Sequence, residues 1–85
     1  MNTYVVEYNS ISNGNSLLYG YENIEGKTPL EALKNRFGVE FRRLTGDAGR
    51  YAEIIISKGT VTDQGGYPII KPCGKYQRLC YERVQ

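Results

Sequence analysis

Two alternating apolar segments and one capped, helix-spaced run predict a small α+β domain in the order strand, strand, helix, strand, strand (ββαββ). Its expected form is a mainly antiparallel four-stranded sheet with one amphipathic helix packed on one face. The strongest local signal is Thr28-Pro29-Leu30-Glu31, with Thr28 at the N-cap, Pro29 as the first helical residue and Glu31 where a capping box wants a carboxylate. Leu30, Leu33, Phe37, Phe41 and Leu44 follow at spacings of 3, 4, 4 and 3, a single stripe along a helix.

The elements follow in chain order. Tyr4, Val6 and Tyr8 alternate with Val5 and Glu7, which reads as a strand. The turn formers from Asn9 to Asn15 join it to a second strand from about Leu17 to Ile24, with Leu17, Tyr19 and Tyr21 on one face. Two readings of the helix end compete. Gly38 costs about 1 kcal/mol against Ala inside a helix, which favours a stop at Phe37 with Val39 to Leu44 extended as half of a hairpin. The longer helix, running to Leu44 with Gly46 as its C′ stop, keeps Phe41 and Leu44 in register with Leu30 and Phe37, whereas a strand would put Phe41 and Leu44 on opposite faces. The longer helix is the expectation. Tyr51 to Ser57 is a central strand, with Ile54 and Ile56 sharing a face with Ala52 and Ile55 opposite. Thr60-Val61-Thr62 and Ile69-Ile70 form a short arm across Asp63-Gln64-Gly65-Gly66, kept to an edge or loop by Pro68. Lys75 to Val84 closes the sheet.

The 85 residues are expected to form one domain, residues 1–85. The longest apolar run, Ile54-Ile55-Ile56, is far too short to span a bilayer, so no membrane association is expected. The N-terminus has neither a basic region nor an apolar signal core, which makes the cytoplasm the expected location. The net charge of +2 is unevenly spread: residues 1–33 carry one Lys against four Glu, while residues 34–50 carry five basic against two acidic and residues 71–85 four basic against one. Such a dipolar chain steers toward a charged partner, or simply presents solvated faces with local pairing.

The chain has no histidine, which removes the commonest general base and metal ligand. Cys73 and Cys80, with six residues between them and no further Cys or His, cannot build a structural zinc site alone. They are free or bridge on oxidation, or they supply half a site across a homodimer. Gly46-Asp47-Ala48-Gly49-Arg50 lacks the Gly-Lys-Ser/Thr ending of a phosphate loop and follows a helix instead of opening one, so it reads as a turn. The serines have no base partner. No enzyme activity, cofactor or metal is expected.

Eight tyrosines stand out in a chain without tryptophan. Tyr51 and Tyr76 beside Arg78, Arg83, Lys75 and Arg50 are parts of a stacking platform for single-stranded nucleic acid. They suit a protein interface better, because Tyr offers rigid area with a polar tip, and the plain covering of an open sheet face accounts for them too. On the expected long helix, Arg36 and Arg43 point away from the apolar stripe and are candidates for gripping phosphates or an acidic protein surface.

Tyr4-Val5-Val6-Glu7-Tyr8, the helix start Thr28-Pro29-Leu30-Glu31-Ala32-Leu33 and the strand from Gly49 to Ile56 together resemble small α+β proteins of bacteriophages and mobile elements, among them anti-CRISPR inhibitors. That resemblance implies a non-enzymatic protein that blocks a host effector complex by shape, and it transfers no functional residue. The leading expectation is a binding protein acting on a protein partner through Tyr51, Tyr76, Arg78, Arg83, Arg36 and Arg43. The alternative is a small single-stranded nucleic-acid-binding module using the same Tyr/Arg sheet face.

Overall fold

The alternation of Tyr4, Val6 and Tyr8 with Val5 and Glu7 builds the first strand of the structure, a computed structural model that describes residues 1–84. Strand β1 (Asn2–Ser12) turns through Asn13 and Gly14, both at positive φ (52° and 76°), into β2 (Asn15–Gly26). Positive φ at both central residues is what a two-residue hairpin turn matched to strand twist requires. Helix α1 (Pro29–Phe37) follows, then β3 (Phe41–Leu44), a 3₁₀ turn (Gly46–Tyr51), β4 (Ile54–Gln64), β5 (Tyr67–Pro72) and β6 (Leu79–Arg83). The sheet order is β2-β1-β4-β6-β3, with β5 paired to β4, and every pairing is antiparallel. The α+β class is as expected. The four-stranded ββαββ arrangement is not, because the sheet has six strands.

The helix begins as its sequence requires. Thr28 is extended (φ −132°, ψ 161°), its hydroxyl accepts the Glu31 N–H at 3.1 Å, and Pro29 occupies the first turn. It ends at Phe37, seven residues short of Leu44, where the expected long helix ended. Gly38 adopts the left-handed conformation (φ 71°, ψ 16°) and donates its N–H to the Lys34 carbonyl at 2.7 Å, which terminates the helix as an αL cap. Phe41–Leu44 is therefore strand β3, and it pairs with β6 in the register Arg43↔Tyr81 and Leu44↔Cys80. The facing objection to a strand has its answer in the pairing: Phe41 enters the core on one face of β3, and Leu44 on the other is partly covered opposite Cys80. Strand β3 pairs with a distant segment, so it forms no hairpin with a sequence neighbour.

The core lies between α1 and one sheet face. Tyr4 and Val6 of β1, Ile24 of β2, Phe41 of β3, Ile54 and Ile56 of β4 and Tyr81 of β6 surround Ala32 and Leu33 of the helix, with Tyr8, Phe37, Val39 and Leu79 at the margin. Leu33, Val6 and Ile56 are fully buried, whereas Leu30, the first residue of the sequence stripe, is 42% exposed. Central β4 sits between β1 and β6, as the Ile54-Ile55-Ile56 pattern implies.

The opposite face is partly covered by the far half of β4, which carries β5 in the pairing Val61↔Ile70 and Thr62↔Ile69 as the expected arm. Asn23 of β2 anchors it by standing in for a neighbouring strand: its side chain donates to the Val61 carbonyl at 2.9 Å and accepts the Val61 N–H at 2.8 Å. The Tyr21 hydroxyl donates to Asp63 at 2.7 Å and the Gly66 N–H donates to the same carboxylate at 2.8 Å, and these two bonds hold Asp63 below the usual carboxylate range. Val5, opposite Asn23 in the ladder, is fully buried as a result. No helix among the described residues is long and apolar enough to cross a membrane.

Candidate binding surface

The hairpin of β1 and β2 outruns its support. Pairing of β1 with β4 ends at Tyr8↔Ile54, and the Asn9 N–H to Glu53 carbonyl bond at 2.8 Å is the tie beyond it. Residues 10–18 thus project past the sheet, pairing with each other alone up to Ser12↔Asn15. Leu17 and Leu18 on this overhang and Tyr19 at its root are consecutive and 70%, 41% and 68% exposed. The register slips between Tyr8↔Gly20 and Asn9↔Leu18, leaving Tyr19 as an extra residue on β2. Such a bulge re-aims a side chain, and the Tyr19 ring lies 6.2 Å from that of Tyr8.

From Tyr8 an aromatic row continues into the fold. Its ring meets Phe37 edge-on at 6.0 Å, and Phe37 meets Phe41 at 5.6 Å. The Arg36 guanidinium lies 5.0 Å from the Phe37 ring centre and pairs with Glu22 at 2.9 Å, while Glu22 also accepts the Tyr8 hydroxyl proton. Burial first, and then the Glu22 acceptor and its charge, push the Tyr8 phenol well above its usual range, so it stays neutral. The half-exposed Arg36–Glu22 pair contributes about 0–1 kcal/mol and acts mainly to orient the two side chains. Tyr8, Tyr19, Gly20, Tyr21, Glu22, Arg36 and Phe37 line an open cleft of about 390 Å³ at the root of the overhang. Its rings are apolar and its charges already paired, a chemistry suited to receiving an apolar or aromatic side chain.

A second cleft, also of about 390 Å³, lies across the sheet where β3 ends and β6 begins. Antiparallel pairing of β3 with β6 sets Leu44 beside Cys80, so Arg78 comes up next to the exit of β3, and the 3₁₀ turn then brings Arg50 to the same place. Arg43, Arg50 and Arg78 line it together with Thr45, Gly46, Gly49, Leu44 and Cys80.

Of the residues singled out in the sequence, Arg43 and Arg78 both border this second cleft, Arg43 beside Tyr81 on the core face and Arg78 paired with Glu7 at 3.5 Å on the other, while Arg36 belongs to the aromatic one. Arg43 does so from a strand, not from the helix expected to carry it. Tyr51 and Tyr76 are exposed but line neither cleft, and Arg83 lies in a third depression with Glu53 and Glu82. The six residues thus form no single Tyr/Arg face. Leu17, Leu18 and Tyr19 escaped nomination, although three successive large apolar residues in an otherwise alternating strand were the signal. Cys73 and Cys80 are free thiols. Among the described residues no group of three or more His, Cys, Asp or Glu side chains is placed to hold a metal.

A scan of protein-family models gives no match, and searches of curated proteins and of solved structures give none either.

Proposed function

We propose that this is a non-catalytic binding protein that holds a protein partner through the overhanging β1–β2 hairpin. Leu17, Leu18 and Tyr19 are the anchors, and the Tyr8–Phe37 cleft with Arg36 at its edge receives a side chain of the partner. The observation that carries this reading is the run of three large apolar side chains left in solvent on a projecting hairpin. Scattered exposed hydrophobics are ordinary, but Leu17 and Tyr19 on one face of the projecting hairpin with Leu18 on the other concentrate apolar surface where a partner can grip it. Fully burying one such side chain is worth roughly 1.5–3 kcal/mol, so Leu17 and Tyr19 together suffice as the centre of a contact. Inhibition of a host defence effector is the concrete form that the phage-protein resemblance implies, and its support is that resemblance alone.

The single-stranded nucleic-acid reading has weaker support, because Tyr51, Tyr76, Arg78 and Arg83 are not gathered along one groove. The two readings separate in a pulldown from the native host, run with and without nuclease. A protein species is expected on the wild-type chain in both conditions, and a Leu17→Asp/Tyr19→Asp double variant is expected to bind it about tenfold more weakly or worse. Both positions are exposed, so the variant keeps the wild-type circular dichroism. Undiminished capture by the double variant, or capture that disappears with nuclease, contradicts the proposal.

A further inference from the structure

The sheet ends in β2 on one side and β3 on the other, and β5 is the outer strand of the arm. An edge strand offers a row of unpaired N–H and C=O groups to any other strand, and charged residues and prolines are the usual means of blunting it. Strand β3 is short and carries Arg42 and Arg43, while β5 carries Pro68, Lys71 and Pro72. The second half of β2 carries Glu22 and Glu25, and its Asn23 is engaged with Val61. The first half of β2 has no such protection. No Asp, Glu, Lys or Arg lies between Glu7 and Glu22, the longest such gap in the chain, and no proline lies there either.

Pairing within the hairpin fixes which backbone groups face outward. The Asn9 N–H goes to the Glu53 carbonyl on the β4 side, so Ser10 turns its own groups toward β2. The pairs Ser10↔Leu17 and Ser12↔Asn15 therefore exchange hydrogen bonds, the second closing the two-residue turn. Ser16 and Leu18 are left pointing their N–H and C=O groups to the outer edge of β2. On the β1 side of the overhang, beyond the Asn9–Glu53 bond, the same alternation turns only Ile11 outward before the turn, which is too little for a strand.

We propose that the outer edge of residues 15–19 pairs with the same edge of a second copy of this chain, antiparallel about a twofold axis at Leu17. Leu17 then faces its counterpart as a non-hydrogen-bonded pair, the arrangement in which facing side chains approach most closely. Ser16 of each copy exchanges hydrogen bonds with Leu18 of the other, and Tyr19 of each lies across from Asn15 of the other. A twofold contact sets a patch against itself, so any charge on it would meet its like. This patch carries none, in a chain whose net charge is +2. Pairing of β1 with β4 stops at Tyr8, so a second overhang lies alongside the first without meeting the body of the molecule. The inference rests on the hairpin surface proposed above and gives it a regulation: a second copy covers Leu17, and a heterologous partner must displace it.

Sedimentation equilibrium of the purified chain tests this. The average mass should rise toward twice that of one chain over roughly 10 μM to 1 mM, the range of a contact this short. Leu17→Lys sets two ammonium groups face to face and should stay monomeric, with wild-type circular dichroism because the position is exposed in the single chain. An equimolar mixture of Leu17→Lys and Leu17→Glu chains should recover the dimer. Ser16→Pro removes an N–H that the hairpin itself does not use and should weaken association about tenfold. A wild type that stays monomeric throughout, or single variants that associate as well as wild type, overturns the dimer. So does a mixture of the two charged chains that stays monomeric. A monomeric wild type that still captures a host protein through Leu17 and Tyr19 sinks the dimer alone. Loss of that capture with the dimer intact sinks the heterologous partner alone.

Discussion

A Leu33→Asp variant is expected to be unfolded at room temperature. Leu33 has no exposed surface and sits at the centre of the cluster that joins α1 to β1, β2, β3, β4 and β6. Truncating such a leucine to alanine costs about 2–5 kcal/mol through lost transfer energy and the cavity left behind. A carboxylate adds the cost of burying a charge that no cation in the cluster offsets, several kcal/mol more unless it is protonated. Against a total stability of roughly 5–10 kcal/mol for a domain of this size, little remains. The informative control is Leu30→Asp. Leu30 opens the same stripe in the sequence yet is 42% exposed, so its substitution should cost within about 0.5 kcal/mol. Far-ultraviolet circular dichroism and urea titration of the two variants measure the contrast, and similar losses in both would mean that α1 packs through a different face.

Gly26→Ala should be the most damaging methyl that can be added between the helix and the sheet; outside that seam Gly59 is as tight, with the Lys71 carbonyl oxygen 2.4 Å from the Cβ position. A Cβ at position 26 would lie 2.6 Å from the Ala32 nitrogen, 2.7 Å from its Cα and 2.9 Å from its Cβ. All three are helix atoms without rotamer freedom, so relief requires α1 to lift from the end of β2. That movement opens the Ala32 and Leu33 contacts at the same time. Overpacking of this kind costs about 1–3 kcal/mol when side chains can yield, and the upper end is expected where backbone must. The melting temperature should fall by roughly 12–24 °C, at about 4–8 °C per kcal/mol for a domain of this length. A thermal melt within a few degrees of wild type would show that the helix does not approach β2 so closely.

The two clearest local signals in the sequence correspond to real structure. Thr28-Pro29 starts the helix by the capping chemistry that its residues prescribe, and the alternation at Tyr4–Tyr8 and Ile54–Ile56 separates core-facing from outward side chains. The failure lies at one residue. Phe37, Phe41 and Leu44 keep a helical spacing that the backbone does not follow, because Gly38 turns left-handed and the same side chains then serve an extended segment. The partner that stabilises that segment is β6, some forty positions further along, and pairing at such range leaves no mark in a local pattern.

The consequences reach both surfaces. Arg43, Arg50 and Arg78 were each legible as exposed cations, yet their place around one depression depends on the β3–β6 pairing that a long helix forbids. Leu17 and Tyr19 were legible as one face of a strand. Their exposure follows from β1 running four residues beyond its last pair with β4, a matter of register that composition does not encode.

The most direct test of the hairpin as the contact surface is site-specific photocrosslinking. A photoreactive phenylalanine analogue replaces Tyr19 in one preparation and Tyr76, an exposed tyrosine away from both clefts, in another. After irradiation in host lysate, a discrete protein adduct is expected from position 19, insensitive to nuclease, with none from position 76. An adduct formed only from position 76, or one that nuclease removes, would place the working surface elsewhere and contradict the hairpin as the site of partner binding.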